Sequence, residues 1–291
     1  MYRALHNLDE SALRAKGEAL EQKLQSTEYS EQQKQESLAE YLTLLQSQRA
    51  AALGIEFCQR LFTRVSAAFH AHLTTDLAVD MLYACILVQQ FYAMDFAPWR
   101  AHTAIEDSKD ALKAVAADGR DSDCLRYCQA VAELYAEAKF WPEALTYAVQ
   151  MHDAASRLLQ KGITRLENGA RLDLRDTACA VCLYASQTAD GLTEELAQKL
   201  TVELGAEEFA AVVKEAAETV GDTVTDPVEL TPEYLAIRYE LEEKIDEALE
   251  HQRGYYDYCK EYWMVKKLIL RSDYGIAWKS PAVLNPGVDF H

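Results

Sequence analysis

Apolar residues recur along most of this chain at steps of three and four, the spacing of one helical face. The longest such series runs Tyr41, Leu45, Ala52, Ile55, Cys58, Phe62, Val65, Phe69, Leu73. It predicts one helix reaching Leu73, or a bend at Gly54, because glycine inside a helix costs about 1 kcal/mol relative to alanine. Upstream, Asp9 caps a helix to Ser26 with Leu13, Leu20 and Leu24 on one side, and Ser30 with Gln33 forms a capping box. Downstream, Thr74-Thr75-Asp76 opens a helix over 76–94, and Asp95 with Pro98 opens another reaching Ala116. Ala117 to Asp121 is a turn. Helices follow over 122–138, 142–161, 173–189, 193–204 and 206–220, with a loop at Asn168-Gly169. Gly221 to Thr231 reads as a linker. From Thr231-Pro232 a long helical pattern reaches Asp273, acidic in its first half and aromatic in its second, at Tyr255, Tyr256, Tyr258, Tyr262 and Trp263. Pro281 and Pro286 exclude a regular helix from the last eighteen residues. Ile276, Trp278, Val283, Leu284, Val288 and Phe290 nevertheless make that segment too apolar for a free tail. It is expected to dock in extended form along the aromatic half of the last helix, near Tyr255, Tyr258 and Tyr262.

Composition strengthens the helical reading. Only 11 Gly and 6 Pro occur in 291 residues, so turns are few and elements long, and no stretch alternates apolar and polar positions for long enough to demand a sheet. Hydrophobic residues make up 49 %, enough for a packed core. The fold class is therefore all-α. Seven cysteines, an odd number scattered on apolar helical segments, suit the reduced thiols of a cytoplasmic protein better than a disulfide framework. The first ten residues lack the apolar centre of a signal peptide, and the longest clean apolar run, Met81 to Val88, is too short to span a bilayer. The net charge is −18, and between Glu203 and Glu250 fifteen acids face only Lys214, Arg238 and Lys244. Such a chain repels phosphate backbones and anionic lipid, which argues against nucleic acid and membrane as partners.

The middle of the chain carries a two-helix unit. A stripe from Cys124 to Ala136 ends in the aromatic turn Lys139-Phe140-Trp141-Pro142, and a second stripe begins at Glu143. Phe91-Tyr92-Ala93, Asp95-Phe96 and Pro98 give a similar order upstream; Leu183-Tyr184-Ala185, Asp190-Gly191 and Thr193 give it downstream. Segment 124–158 resembles a tetratricopeptide unit, a 34-residue pair of antiparallel helices. Cys128, Val131, Ala132 and Tyr135 fall at that family's first-helix places, and Trp141 and Ala144 at its turn and second-helix places. Cys128 stands where the family has Trp, Lys139 stands where it has Gly, the closing Pro is missing, and the spacings between units are 43 and 49 residues. The resemblance implies an α-solenoid-like array of antiparallel hairpins over 76–220. N-terminal helices (1–75) precede it; the linker (221–231), a long helix (232–273) and an extended docking tail (274–291) follow. It also implies a protein or peptide partner on the face lined by first helices, at Arg126, Gln129 and Glu133, and by the 43-residue shift at Tyr83, Ile86 and Gln90.

Other constellations are weaker. Cys179-Ala-Val-Cys182 has metal-ligand spacing, and Cys124 and Cys128 would complete four thiolates, but all four have apolar helical neighbours and read as small core residues. His152-Asp153, with His102 upstream, resembles the metal pair of helical His-Asp phosphohydrolases, which supplies the alternative function. That family's turn is absent, because Ala154-Ala155-Ser156 continues the helix. No Gly-rich phosphate loop, Gly-x-Ser-x-Gly or His-Glu-x-x-His occurs. The sequence is therefore read as a non-enzymatic binding scaffold that calls for no metal and no cofactor.

Overall fold

The computed structural model describes residues 9–166, 168–220, 224–249 and 258–288. The fold is all-α. Among the described residues there are fourteen α-helices, two short 3-10 turns and one isolated bridge between Arg165 and Arg171. The chain divides into two compact units, Met1–Asp123 and Cys124–His291. The division falls inside one helix, α7 (Asp121–Glu137), and not at 75/76.

The first unit contains α1 (Glu10–Gln25), α2 (Glu31–Ser47), α3 (Ala51–His72), α4 (Thr75–Met94), α5 (His102–Asp107) and α6 (Lys109–Ala117). Local chemistry sets several starts. The Asp9 carboxylate accepts from the Ala12 N–H, both halves of the Ser30–Gln33 capping box are present, and Thr74 caps α4. The series expected to form one helix to Leu73 breaks at Gln48–Ala50, where Arg49 is left-handed (φ 53°). Gly54 is no bend. It is an interior position of α3 where a Cβ would lie 2.0 Å from the Phe91 ring, so α3 and α4 approach more closely than any side chain there would allow. Phe57, Cys58, Phe62 and Phe69 of α3 and Met81, Leu82, Cys85, Val88 and Phe91 of α4 are buried. The helix expected to reach Ala116 is interrupted at Ser108, whose hydroxyl donates to the Ala104 carbonyl (2.7 Å). By length and composition α4 alone among the described helices is long and apolar enough to cross a membrane. More than half of it is buried within the protein, the pattern of a central core helix.

The second unit continues with α8 (Trp141–Gln160), α9 (Leu174–Ala185), α10 (Glu194–Leu204), α11 (Ala206–Val220), α12 (Pro232–Ala248), α13 (Tyr258–Asp273) and the single turn α14 (Pro281–Leu284). Helices α7 and α8 meet through Tyr127, Tyr135 and Tyr147, whose rings lie 6.0–6.2 Å apart. Helix α8 packs on α9, and α9 and α10 on α11. The long helix expected over 232–273 is two helices. The Tyr262 hydroxyl donates to Glu242 (2.6 Å) and Lys244 pairs with Asp273 (2.8 Å). Residues twenty apart in one helix would be about 30 Å apart. The chain therefore reverses between α12 and α13. Tyr255 and Tyr256 lie outside the described residues.

The C-terminal segment docks on this pair. Trp278 is buried with Tyr234, Leu241, Ile245, Leu249 and Leu270, and Tyr258 and Tyr262 pack against the cluster. Its backbone is tied down as well. Ile276 N–H donates to Leu270 O (2.9 Å), Lys279 N–H to Asp226 (2.6 Å), and Asn285 exchanges two hydrogen bonds with the Val224 backbone (2.7 and 2.8 Å). The segment is not extended throughout, because α14 interrupts it. Val283 and Val288, expected to dock, are 62 % and 49 % exposed; Phe290 lies outside the described residues. Asn285, buried at 8 %, holds this stretch where an apolar side chain was expected to.

One turn recurs. Helices end with a left-handed residue at Arg49, Phe96, Gly119, Lys139 and Gly162. In each case the next N–H reaches back to the carbonyl five residues earlier, as Ala50 to Leu45 (2.9 Å), Ala97 to Tyr92 (2.9 Å) and Phe140 to Tyr135 (2.7 Å). This Schellman closure satisfies carbonyls at the helix end and reverses the chain within two or three residues.

Candidate functional site

Helix α7 has a buried face and a polar one. Cys124, Cys128, Val131, Ala132 and Tyr135 are buried at 3 % exposure or less, while Arg126, Gln129 and Glu133 are exposed at steps of three and four. The Gln129 amide donates to the Glu133 carboxylate (2.9 Å), which orders the outer face without removing it from water. The other three expected binding residues lie on α4, in the other unit. Tyr83 and Gln90 are exposed there, but Ile86 is buried at 9 %. Ile86 is therefore core and not a groove residue, because α4 is apolar on nearly every side and leaves only a narrow solvent stripe.

The candidate metal residues have protein partners. His152 is 1 % exposed, with Nδ1 2.8 Å from Thr177 Oγ1 and Nε2 2.8 Å from Glu203 Oε2. The Glu203 carboxylate can only accept, so Nε2–H donates to it and Nδ1 faces the Thr177 hydroxyl. Ser156 donates to the second Glu203 oxygen (3.1 Å), and Asp153 is ion-paired with Lys199. These contacts tie α8 to α9 and α10. His102 belongs to the other unit, 4.0 Å from Glu106. Among the described residues no group of three or more His, Cys, Asp or Glu is arranged to hold a metal ion. Burial pushes the Cys128 thiol well above its ordinary value and Cys182 up to about 11, which keeps both as thiols.

Unit two also contains a cavity of about 230 Å³. Its wall is formed by the α7–α8 turn (Lys139, Phe140, Trp141), the end of α9, the segment before α12 and the facing sides of α12 and α13. Two cations stand in this wall although they are nearly buried, Arg238 at 8 % and Lys266 at 5 %. Lys266 Nζ lies 3.2 Å from Glu229 and within 4.8–5.8 Å of the ring centres of Trp278, Tyr234 and Tyr262. Burial by itself lowers the Lys266 pKa, but Tyr234, Glu229 and Glu242 around it more than offset this and hold it above its ordinary value. Burial also raises the carboxyl of Glu242 and the phenols of Tyr234 and Tyr262. Arg238 is ion-paired with Glu143 through Nη2 and stacks on Phe140 (4.9 Å). Burial holds its pKa below the ordinary value, against the opposing effect of a hydrogen bond with Tyr239.

This cavity was missed from sequence, yet a signal exists. Arg238 falls on the apolar face Tyr234–Leu241–Ile245, and Lys266 falls between Tyr262 and Leu270 at steps of four. A charge inside an apolar stripe marks a buried charge, whereas the sequence reading counted Arg238 only as one of three cations among fifteen acids.

No family model, no curated protein and no solved structure matches this chain.

Proposed function

We propose that this chain is a non-enzymatic helical scaffold that binds a protein or peptide partner, with the outer face of α7 as its contact surface. The observation that carries the reading is the exposure of Arg126, Gln129 and Glu133 together on a helix whose opposite face is core. The likeness of segment 124–158 to a tetratricopeptide unit supports it, since that family binds through its first helices. On this reading the array of hairpins is tetratricopeptide-like, and Tyr83 and Gln90 on α4 form a second candidate contact. The cysteine content suits a reducing cytoplasm, and the net charge of −18 disfavours nucleic acid and anionic membrane as partners.

The test is capture of partners from the native host by the parent chain and by Arg126→Ala/Gln129→Ala/Glu133→Ala. Surface substitutions of this kind typically change stability by less than about 0.5 kcal/mol. Equal melting curves with loss of a specific captured protein support the reading. Undiminished capture by the triple variant moves the contact surface elsewhere.

A further inference from the structure

We propose that the connection between α8 and α9 is a docking point for a phosphorylated peptide, whose phosphoryl group Arg165 and Arg171 hold between them. The connection spans residues 161–173, whereas α3–α4 and α7–α8 are joined by residues 73–74 and 138–140 alone. Helix–helix connections commonly take about 2–8 residues, and those beyond about a dozen are usually functional or unstructured. This one is structured, as a short hairpin. Leu166 N–H donates to Ala170 O (2.9 Å), Leu172 N–H to Thr164 O (3.0 Å), and Ala170 N–H to the Asn168 side chain (3.0 Å). The first two bonds flank Arg165 and Arg171, which face each other across an antiparallel bridge. That makes them a non-hydrogen-bonded pair, in which Cα atoms lie about 4.5 Å apart and the side chains stand closest, on one face. Like charges directly opposite one another destabilise a ladder. Both residues are exposed, and among the described residues neither has a carboxylate partner. Arg165 gives one donor, Nη1, to the Gly169 carbonyl (2.9 Å). By contrast Arg14, Arg60 and Arg175 each hold two carboxylates. Arg157 and Lys161, exposed where α8 ends, lead into the hairpin with further positive charge.

Charge and backbone narrow the ligand. Two guanidinium groups on one face repel each other until an anion stands between them. A single carboxylate offsets one of the charges. A phosphoryl group carries about −1.5 to −2 at pH 7, with three acceptor oxygens, and so serves both planar forks. The backbone favours a peptide as its carrier over free phosphate. In a non-hydrogen-bonded pair the N–H and C=O of each residue point outward, away from the facing strand. Neither Arg165 nor Arg171 uses its N–H among the described residues. An extended peptide can therefore add to that edge as a strand, with alternate side chains on the arginine face. Nucleic acid fits worse, because the net charge of −18 repels a polyphosphate while one pair of arginines engages a single phosphate. This contact is separate from the outer face of α7, and its test leaves Arg126, Gln129 and Glu133 unchanged.

The experiment titrates the full chain by calorimetry with acetyl-Ala-Val-phosphoserine-Val-Ala-amide. The same peptide with unmodified serine, inorganic phosphate and a short single-stranded oligonucleotide are titrated in parallel. The phosphopeptide is expected to bind saturably, at least about tenfold more tightly than the unmodified peptide, the difference a charge-assisted hydrogen bond supplies. It should also bind more tightly than inorganic phosphate and the oligonucleotide. Arg165→Gln/Arg171→Gln should keep the parental melting temperature, since both side chains are exposed, and should lose the preference for the phosphorylated peptide. Equal affinity for the two peptides, a preference that survives in the double variant, or no saturable binding up to about 10 mM would each overturn the proposal. So would inorganic phosphate or the oligonucleotide binding as tightly as the phosphopeptide, the first pointing to a free ion and the second to nucleic acid.

Discussion

Inside α3, Gly54 sets helix propensity against packing. Alanine favours a helix interior by about 1 kcal/mol over glycine, but a Cβ at Gly54 would enter the Phe91 ring of α4, and overpacking a filled core costs about 1–3 kcal/mol. Packing wins. Gly54→Ala is expected to lower stability by about 1 kcal/mol in a urea melt, and adding Phe91→Leu to reverse the sign. A Gly54→Ala protein as stable as its parent would mean that the ring moves aside freely. Lys139 presents the reverse case. It holds φ 60° at the end of α7, a conformation costing an L-residue about 1–2 kcal/mol, and it stands where the tetratricopeptide pattern has glycine. Lys139→Gly should therefore raise the denaturation midpoint. Unchanged or lower stability would show that the lysine side chain makes contacts worth more than the strain. Arg49 and Phe96 occupy the same conformation (φ 53° and 58°), which is why the break at Arg49 could not be read from the chain. The usual marker of such a turn is a glycine, and none is there.

At the scale of elements, the α12–α13 pair and the C-terminal segment stand or fall together. Trp278 fills the cluster between the two helices, and its indole N–H ends on the Glu229 carboxylate that also holds Lys266. Ending the chain after Asp273 uncovers Leu241, Ile245 and Leu270. It is expected to lower the melting temperature by several degrees and to promote aggregation, because apolar surface left exposed associates. A soluble, monodisperse product with an unchanged melt would make the segment a recognition peptide for another molecule. The same cluster dictates a response to alkali. Tyr234 and Tyr262 titrate above their ordinary value of 10.0, chiefly because of burial, and Lys266 above 10.5, because Tyr234 and its acidic neighbours outweigh burial. A folded-state value above the unfolded one contributes stability that is full at lower pH and lost as pH rises. Stability should thus be level near pH 8 and fall as pH passes about 10. Urea melts across that range check this; a flat profile to pH 11 would show that the cluster opens to water. The reversal between α12 and α13 was missed, because the apolar pattern continues through both helices and the single Gly254 between them was not read as a break. The docking of Trp278 was legible, from a large apolar residue among prolines. The anchoring of Asn285 was not, since a polar residue reveals its partner only when the partner's backbone has been placed.

For the whole molecule, the dominant quantity is charge. A net charge of −18 on 291 residues is self-repelling in the folded state, and added salt screens that repulsion. The melting temperature should rise as sodium chloride is raised from about 10 mM to about 500 mM, where the Debye length shortens from about 30 Å to a few ångström. A fall would mean that exposed pairs such as Arg14–Glu56 and Arg175–Glu208 outweigh the bulk repulsion. The class of fold and most helix starts were determined by sequence alone, because they depend on interactions within a few residues. A 3.6-residue period, a side-chain oxygen at Asp9, Ser30, Thr74, Thr193 or Thr231 meeting the N–H groups just beyond it, and a proline opening a first turn are all local. Exposure of Arg126, Gln129 and Glu133 was legible for the same reason: the period that buries Cys128 and Tyr135 turns them outward. Tertiary structure alone decided that Ile86 is core, that Gly54 makes room for Phe91, that α12 and α13 fold back on each other, and that Arg238 and Lys266 meet in one cavity. Each of these depends on which distant segment supplies the neighbour, and the energy of a buried ring or a buried charge exists only once that neighbour is in place.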